Sequence, residues 1–176
     1  AVAACDAVER VCGVRPQIKW TNDLVLNGKK LSGTLTELSL EGESGALQYA
    51  VIGIGVNCNN ASEDFPPELR DVATSLYLET GKCVQRAALA AALIEELDKL
   101  YAALQSGDTA SYLTAYRRDC LTLGREVQLL WQNVKEKVTA LDVDDQFGLV
   151  VRRADGTVET IRTGEVSVRG LYGYVE

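Results

Sequence analysis

A lysine set between apolar residues in a strand-like run, Ile18-Lys19-Trp20, is costly to bury unless it meets an anion. Asn22-Asp23 follows, a pair that can form a tight turn or can orient phosphate oxygens, a ribose or an incoming amine. Further along come Lys30-Leu31-Ser32-Gly33 and Gly53-Ile54-Gly55-Val56-Asn57. Glycines inside strands weaken pairing and often mark the close approach of a backbone or a ligand. A cation, an amide, a carboxylate and a floor without side chains suit an anionic, phosphate-bearing ligand lying across a sheet. Each part also has a plainer use: Lys19 as a solvated strand-edge residue, Trp20 as core, Asn57 as the cap of a strand. The Gly-x-Gly step is no dinucleotide fingerprint, because neither a third glycine nor a helix start follows it.

Hydrophobic periodicity predicts the scaffold that must position these groups. The first twelve residues read as the end of an amphipathic helix, with Val2, Ala4 or Cys5, Val8 and Val11 or Cys12 on one face. Gly13 stops it and Pro16 breaks it. Residues 17–26 read as a strand that leads through Asn27-Gly28, a type I′ hairpin signal, into a second strand over 30–40. In that strand Leu31, Gly33, Leu35 and Glu37 alternate against Ser32, Thr34, Thr36 and Leu38. Residues 47–57 are so uniformly apolar that they predict a central strand covered on both faces.

A polar loop closed by Pro66-Pro67 and a short helical turn containing Ala73-Thr74-Ser75-Leu76 come next. Leu89, Leu93, Leu97, Leu100 and Leu104 stripe a helix over 84–105, with Gly107 ending it and Asp108 placed to cap a second helix that runs to Cys120. From Leu121 the texture changes to strand-length pieces at 126–132, 135–143, 147–152, 157–162 and 165–169, with Asp155-Gly156 as another I′ signal. Strands this short and this closely spaced predict a small closed or nearly closed barrel of the SH3-like kind. The chain thus divides into 1–120 and 121–176, with the boundary near Arg118 to Gly124.

Composition narrows the chemistry. At 176 residues, 47% hydrophobic and 24% charged, the chain reads as an ordinary globular protein. No run nears the roughly 20 apolar residues of a membrane helix. Asp6, Glu9 and Arg10 interrupt the alanine-rich start, so it is no signal peptide and a cytoplasmic location is the expectation. A net charge of −7 argues against a nucleic-acid surface, and Lys29-Lys30 and Arg117-Arg118 are too short to make one. The five cysteines lack any C-x-x-C pair and read as reduced and mostly buried. The absence of histidine removes Ser-His-Asp and Cys-His catalysis and the commonest transition-metal ligand. Lysine, arginine, carboxylates, amides and backbone groups remain.

In order and spacing these motifs resemble the biotin–protein ligases. That family carries a Lys-Trp-Pro-Asn-Asp stretch, a hairpin, a Lys-x-x-Gly strand, a Gly-Ile-Gly-x-Asn strand and an SH3-like end near Gly-Glu-(Val/Ile)-Ser-x-Arg. The counterparts here are Lys19 to Asp23, Lys30 to Gly33 with Glu37, Gly53 to Asn57, Ala73 to Leu76, and Gly164 to Arg169. The resemblance implies an α+β fold, a partial mixed sheet with helices of the class II synthetase-like kind, followed by the SH3-like barrel. It implies activation of biotin by Mg2+-ATP to biotinyl-5′-adenylate, then acylation of a lysine on a biotin carboxyl carrier protein. Lys19 would contact the biotin carboxylate and the adenylate phosphate, and Asn22 and Asp23 would sit beside phosphate and metal. Asp23 would also receive the acceptor lysine. Lys30 would be a second cation, Gly33, Gly55 and Asn57 would line the floor, and Glu165 and Arg169 would reach towards ATP.

Two departures stand out. Thr21 replaces the family's proline, and the family's Gly-Arg-Gly-Arg loop is found nowhere in the sequence. With no methionine at the start and a helix already under way there, the expectation is a C-terminal portion of a ligase, inactive alone. A lipoate-type acyl-protein ligase and a non-catalytic module for homodimerisation or carrier docking stay open as alternatives, as does an upstream DNA-binding domain.

Overall fold

The computed structural model describes residues 1–42, 44–131, 134–162 and 165–168. Alanine-rich residues with little side-chain entropy to lose form helix α1 (Val2–Cys12), which ends where Gly13 takes a left-handed φ of 72° and returns its N–H to Glu9 O at 2.9 Å. The first sheet follows: β1 (Gln17–Lys19), β2 (Asp23–Leu26), β3 (Lys29–Leu40) and β4 (Leu47–Val56), in that spatial order. Helices α2 (Leu76–Thr80), α3 (Arg86–Ser106) and α4 (Ala110–Asp119) come next. The second sheet holds β5 (Glu126–Trp131), β6 (Val134–Val143), β7 (Leu149–Arg152), β8 (Val158–Ile161) and β9 (Glu165–Val168), ordered β8-β7-β6-β5-β9.

Several expectations need correction. Residues 17–26 are not one strand: they fold back at 20–22, so β1 and β2 are antiparallel neighbours with Lys19 opposite Asp23. The first sheet is antiparallel throughout rather than mixed, and among the described residues the parallel contacts are two isolated bridges, Ile18 with Cys120 and Lys30 with Ala73. The strand 47–57 is not central. β4 is an edge strand, and Leu47, Tyr49, Val51 and Ile52 on it are all more than half exposed. Uniform apolarity signals two faces that can be covered, but among the described residues only the Val56 end packs on a core cluster, and residues 47–53 stay exposed. The helical turn expected at Ala73 is an extended bridge to Lys30, and the helix begins instead at Leu76, capped by Ser75 Oγ accepting from Leu78 N–H at 3.1 Å. Thr109, not Asp108, occupies the N-cap position of α4.

The Asn27-Gly28 hairpin has positive φ at both positions, 49° and 79°, as a I′ turn requires. At Asp155-Gly156 only the glycine does, so that turn is of another type. The second sheet is a five-stranded antiparallel sheet whose edges, among the described residues, are β8 and β9. No closed barrel is described.

One apolar cluster joins α1 (Val2, Cys5), the first sheet (Ile18, Trp20, Leu24), α4 (Tyr116) and the second sheet (Val127, Val138, Leu149), so the two sheets share a core across the 120/121 boundary. A second cluster packs Val8, Leu31, Leu76 and Leu89 between α1, β3, α2 and α3. Arg15, in the link after α1, closes the assembly: its Nε and Nη2 donate to Asp119 Oδ2 at 3.0 and 2.6 Å. Among the described residues no helix is long and apolar enough to cross a membrane.

Two outcomes follow for stability. The hydroxyl of Ser32 is buried without a hydrogen-bond partner, which costs about 1–3 kcal/mol in desolvation. Ser32→Ala is expected to leave urea-unfolding stability unchanged or to raise it by about 1 kcal/mol. Burial pushes the Asp119 carboxyl up, but hydrogen bonds from Arg118 and Arg15 outweigh it and hold the group below its ordinary value of 3.8. A carboxylate depressed in the folded state stabilises above its unfolded pKa, and that contribution disappears as the pH falls through the folded value. Wild type is therefore expected to lose more stability than Asp119→Asn on acidification below about pH 4, as followed by denaturant midpoints.

Candidate functional site

Cross-strand pairing lines up four of the candidate residues in a single row. Lys19 lies opposite Asp23, Asp23 opposite Gly33, and Gly33 opposite Gly55. Directly paired residues of a sheet face the same way, so two side chains and two bare backbones share one surface. Lys19 is only 8% exposed, and its Nζ lies 4.0 Å from Asp23 Oδ2. Lys30 Nζ holds the other oxygen, Asp23 Oδ1, at 2.7 Å.

Lys30 reaches this surface because of an irregularity. Strict alternation would put it on the face of Ser32, away from Gly33. The ladder slips between Leu24 and Val25, which pair with Ser32 and Lys30 respectively, leaving Leu31 as an extra residue on β3. Such a bulge re-aims its neighbour. The backbone of Lys30 is fixed there by Lys30 N–H donating to Val72 O at 2.8 Å and Thr74 N–H donating to Lys30 O at 2.9 Å. The sequence carries no signal for the bulge.

The absence of a side chain at Gly33 is used directly. A Cβ there would stand 3.3 Å from Asp23 Oδ1 and 3.4 Å from Lys30 Nζ, crowding the ion pair. At Gly55 a Cβ would meet only Gly33 O, at 4.0 Å, and would otherwise project over the open face. A cleft of about 630 Å³ lies over the row, walled on one side by Phe65, Leu69 and Val72 from the loop before α2. Volumes of this order suit a small-molecule ligand. A shallower depression of about 610 Å³ continues along Asn22, Thr34 and Gly53. Among the described residues the charged ones lining the two are Lys19, Lys30 and Asp23, two cations to one anion, so this lining carries a net positive charge. Phe65, Leu69 and Val72 are wall residues that the motifs did not indicate.

The remaining candidates are engaged locally. Asn22 is exposed at the tip of the β1–β2 turn and its Nδ2 donates to Thr34 O, so one of its amide hydrogens is already used. Asn57 caps β4: its N–H donates to Leu31 O at 3.0 Å and its Nδ2 to Thr74 O at 3.0 Å, while its side chain still borders the cleft. Trp20 is core, as its plainer reading has it, at 4% exposure. Glu165 begins β9, but its side chain lies outside the described residues, and so does Arg169. Among the described residues no group of three or more His, Cys, Asp or Glu could hold a metal ion by itself.

Residues 1–57 match the biotin/lipoate A/B protein ligase family. The chain is 32% identical over 156 residues to the bifunctional ligase/repressor BirA of Bacillus spizizenii, covering 89% of this chain and 47% of that protein. It is 31% identical over 171 residues to the biotin–[acetyl-CoA-carboxylase] ligase of Mycobacterium tuberculosis, covering 94% of this chain and 59% of the relative. It therefore spans about half the length of these curated relatives. Among solved structures, the biotin protein ligase of Aquifex aeolicus in complex with biotin and ATP superposes with a TM-score of 0.80 at 27% identity, over 96% of this chain and 68% of the other. By its motifs, its fold and these relatives, the chain is similar to the biotin protein ligases, and its first 57 residues match the biotin/lipoate A/B protein ligase family.

Proposed function

We propose that this chain carries the adenylate-binding surface of a biotin protein ligase, which activates biotin with ATP and transfers it to a lysine of a biotin carboxyl carrier protein. The observation that carries the reading is the Lys19–Asp23–Gly33–Gly55 row: a nearly buried ammonium beside a floor cleared of side chains. In the first half-reaction a biotin carboxylate oxygen attacks the α-phosphorus of ATP and pyrophosphate leaves. Negative charge builds on the phosphoryl oxygens, and Lys19, already desolvated, is placed to stabilise it without reorganising. Lys30 adds a second cation on the more exposed side. Gly33 and Gly55 let the acyl-phosphate lie against backbone.

In the second half-reaction the acceptor amine attacks the acyl carbon and AMP leaves. Asp23 is the carboxylate available to receive that amine, with its two oxygens oriented by the two lysines. Mg2+ commonly binds through one or two carboxylates together with substrate phosphates, and Asp23 fits that part. Asn57, and the amide oxygen that Asn22 keeps available, would serve the nucleotide end. Glu165 and Arg169 remain proposed contacts from 121–176, which we read as an SH3-like domain following the 1–120 catalytic portion. The lining of the floor does not itself separate biotin from lipoate; the relatives favour biotin.

A second reading, a module that pairs with another copy of itself, is favoured by the apolar residues exposed along the unpaired edge of β4. Calorimetric titration with a non-hydrolysable biotinyl-adenylate analogue, alongside sedimentation, separates the two. Saturable binding that weakens about 10- to 100-fold in Lys19→Gln is the result expected for the ligase surface. Self-association with no binding of the analogue would select the module, and tighter binding of the lipoyl analogue would select the lipoate-type enzyme. A further variant isolates the floor. Gly55→Val adds a strand-favouring side chain with no clash behind it, so thermal stability is expected to hold or rise while analogue affinity falls at least tenfold, about 1.4 kcal/mol.

A further inference from the structure

The back of the lysine-bearing turn is gripped by residues that the proposed chemistry does not use. Leu121 N–H donates to Ile18 O at 2.9 Å, and Trp20 N–H donates to Thr122 Oγ1 at 3.0 Å. Trp20 Nε1 donates to Phe147 O at 2.9 Å, and Tyr116 Oη donates to Thr21 O at 2.8 Å. Ile18, Trp20 and Thr21 are each tied to groups outside the first sheet, and Lys19 sits among them with its side chain turned the other way. The rings of Tyr116 and Phe147 meet edge to face, with centroids 5.5 Å apart and planes at 87°. Burial pushes the Tyr116 phenol far above its ordinary range, which keeps its proton in place as the donor.

Phe147 holds its place at a conformational cost. Its φ is 62°, in the left-handed region that a bulky residue avoids. The turn around it compensates. Asp144 Oδ1 accepts from Gln146 N–H at 2.9 Å and from Gly148 N–H at 2.8 Å, Phe147 N–H donates to Asp144 O at 3.0 Å, and Arg162 Nη2 grips Asp144 Oδ2 at 2.8 Å. Gly148 has no room for a side chain, since a Cβ would come within 2.5 Å of Thr160 Cγ2. A left-handed residue fixed from so many directions belongs to the class that recurs at clamps and functional sites.

We infer that Tyr116 and the 144–148 turn form a latch by which the second sheet sets the position of Lys19, making Tyr116 and Phe147 positioning residues for the adenylate site. The inference rests on the reading of Lys19 given under the proposed function. The four hydrogen bonds leave the strand no freedom to slide or twist, so the ammonium is presented at a fixed depth over the glycine floor.

Tyr116→Phe tests it in the 176-residue chain. The substitution keeps the ring against Phe147 and removes only the donated hydrogen. Acetylation of each lysine by a succinimidyl ester, read by mass spectrometry, is expected to speed up at Lys19 by about three- to tenfold, with Lys82 and Lys99 unchanged. Buried Cys5 should stay as slow towards a maleimide as in wild type, which separates a loosened latch from general unfolding. An unchanged Lys19 rate, or faster labelling of Cys5 in parallel, overturns the latch. Binding of the biotinyl-adenylate analogue should weaken by a similar factor, and the loss should vanish when Tyr116→Phe is made in Lys19→Gln; additive losses would overturn an action through Lys19. If the labelling responds while neither protein binds the analogue, the latch stands and the ligase reading falls.

Discussion

Burying an ammonium group is the constraint around which this structure is arranged. An amine as enclosed as that of Lys19 must be matched by charge and must not be allowed to swing back to water. Asp23 supplies charge from the neighbouring strand, one oxygen towards Lys19 and the other held by Lys30. The enclosure comes from behind, where Trp20, Thr122 and Tyr116 are packed and hydrogen-bonded beneath the turn. The result is an enclosed cation facing a surface from which side chains have been removed.

The same constraint explains why the two sheets are inseparable in packing although they look like different textures in sequence. The apolar cluster under Lys19 draws residues from α1, α4 and both sheets. A strand of three residues, β1, could not be held by its own ladder; it depends on the loop after α4 on one side and β2 on the other. Strand pairing alone defines a register, and tertiary hydrogen bonds define how far the strand leans.

Much of this was legible from residue types. Gly13 and Gly107 mark helix ends, Asn27-Gly28 marks the hairpin, and the five pieces after Leu121 become the five strands of the second sheet within a few residues. The candidate residues around Lys19 were visible because lysine, aspartate and glycine are unusual inside strands. What escaped was geometry that residue type does not encode. Asn22-Asp23 allows a turn, but Trp20 and Thr21 are good strand formers, and the contacts of Trp20 with Thr122 and Phe147 and of Thr21 with Tyr116 select the fold-back at 20–22. The position of β4 at an edge was misread because apolarity says what a strand tolerates, not what lies beside it. Phe65, Leu69 and Val72 lay in a polar, proline-marked loop, where isolated apolar residues carry no pattern.

The bulge at Leu31 gives β3 two phases of alternation, one on each side of a single residue. Upstream of it the strand is indexed to the loop at Val72 and Thr74; downstream it is indexed to β4. Leu31 itself is sealed in the second core, so the phase change is anchored by hydrophobic packing rather than by the ladder. One carboxylate, Asp23, is therefore met from two separately built directions: Lys19 takes its depth from the hydrogen bonds behind β1, and Lys30 takes its reach from how that leucine seats.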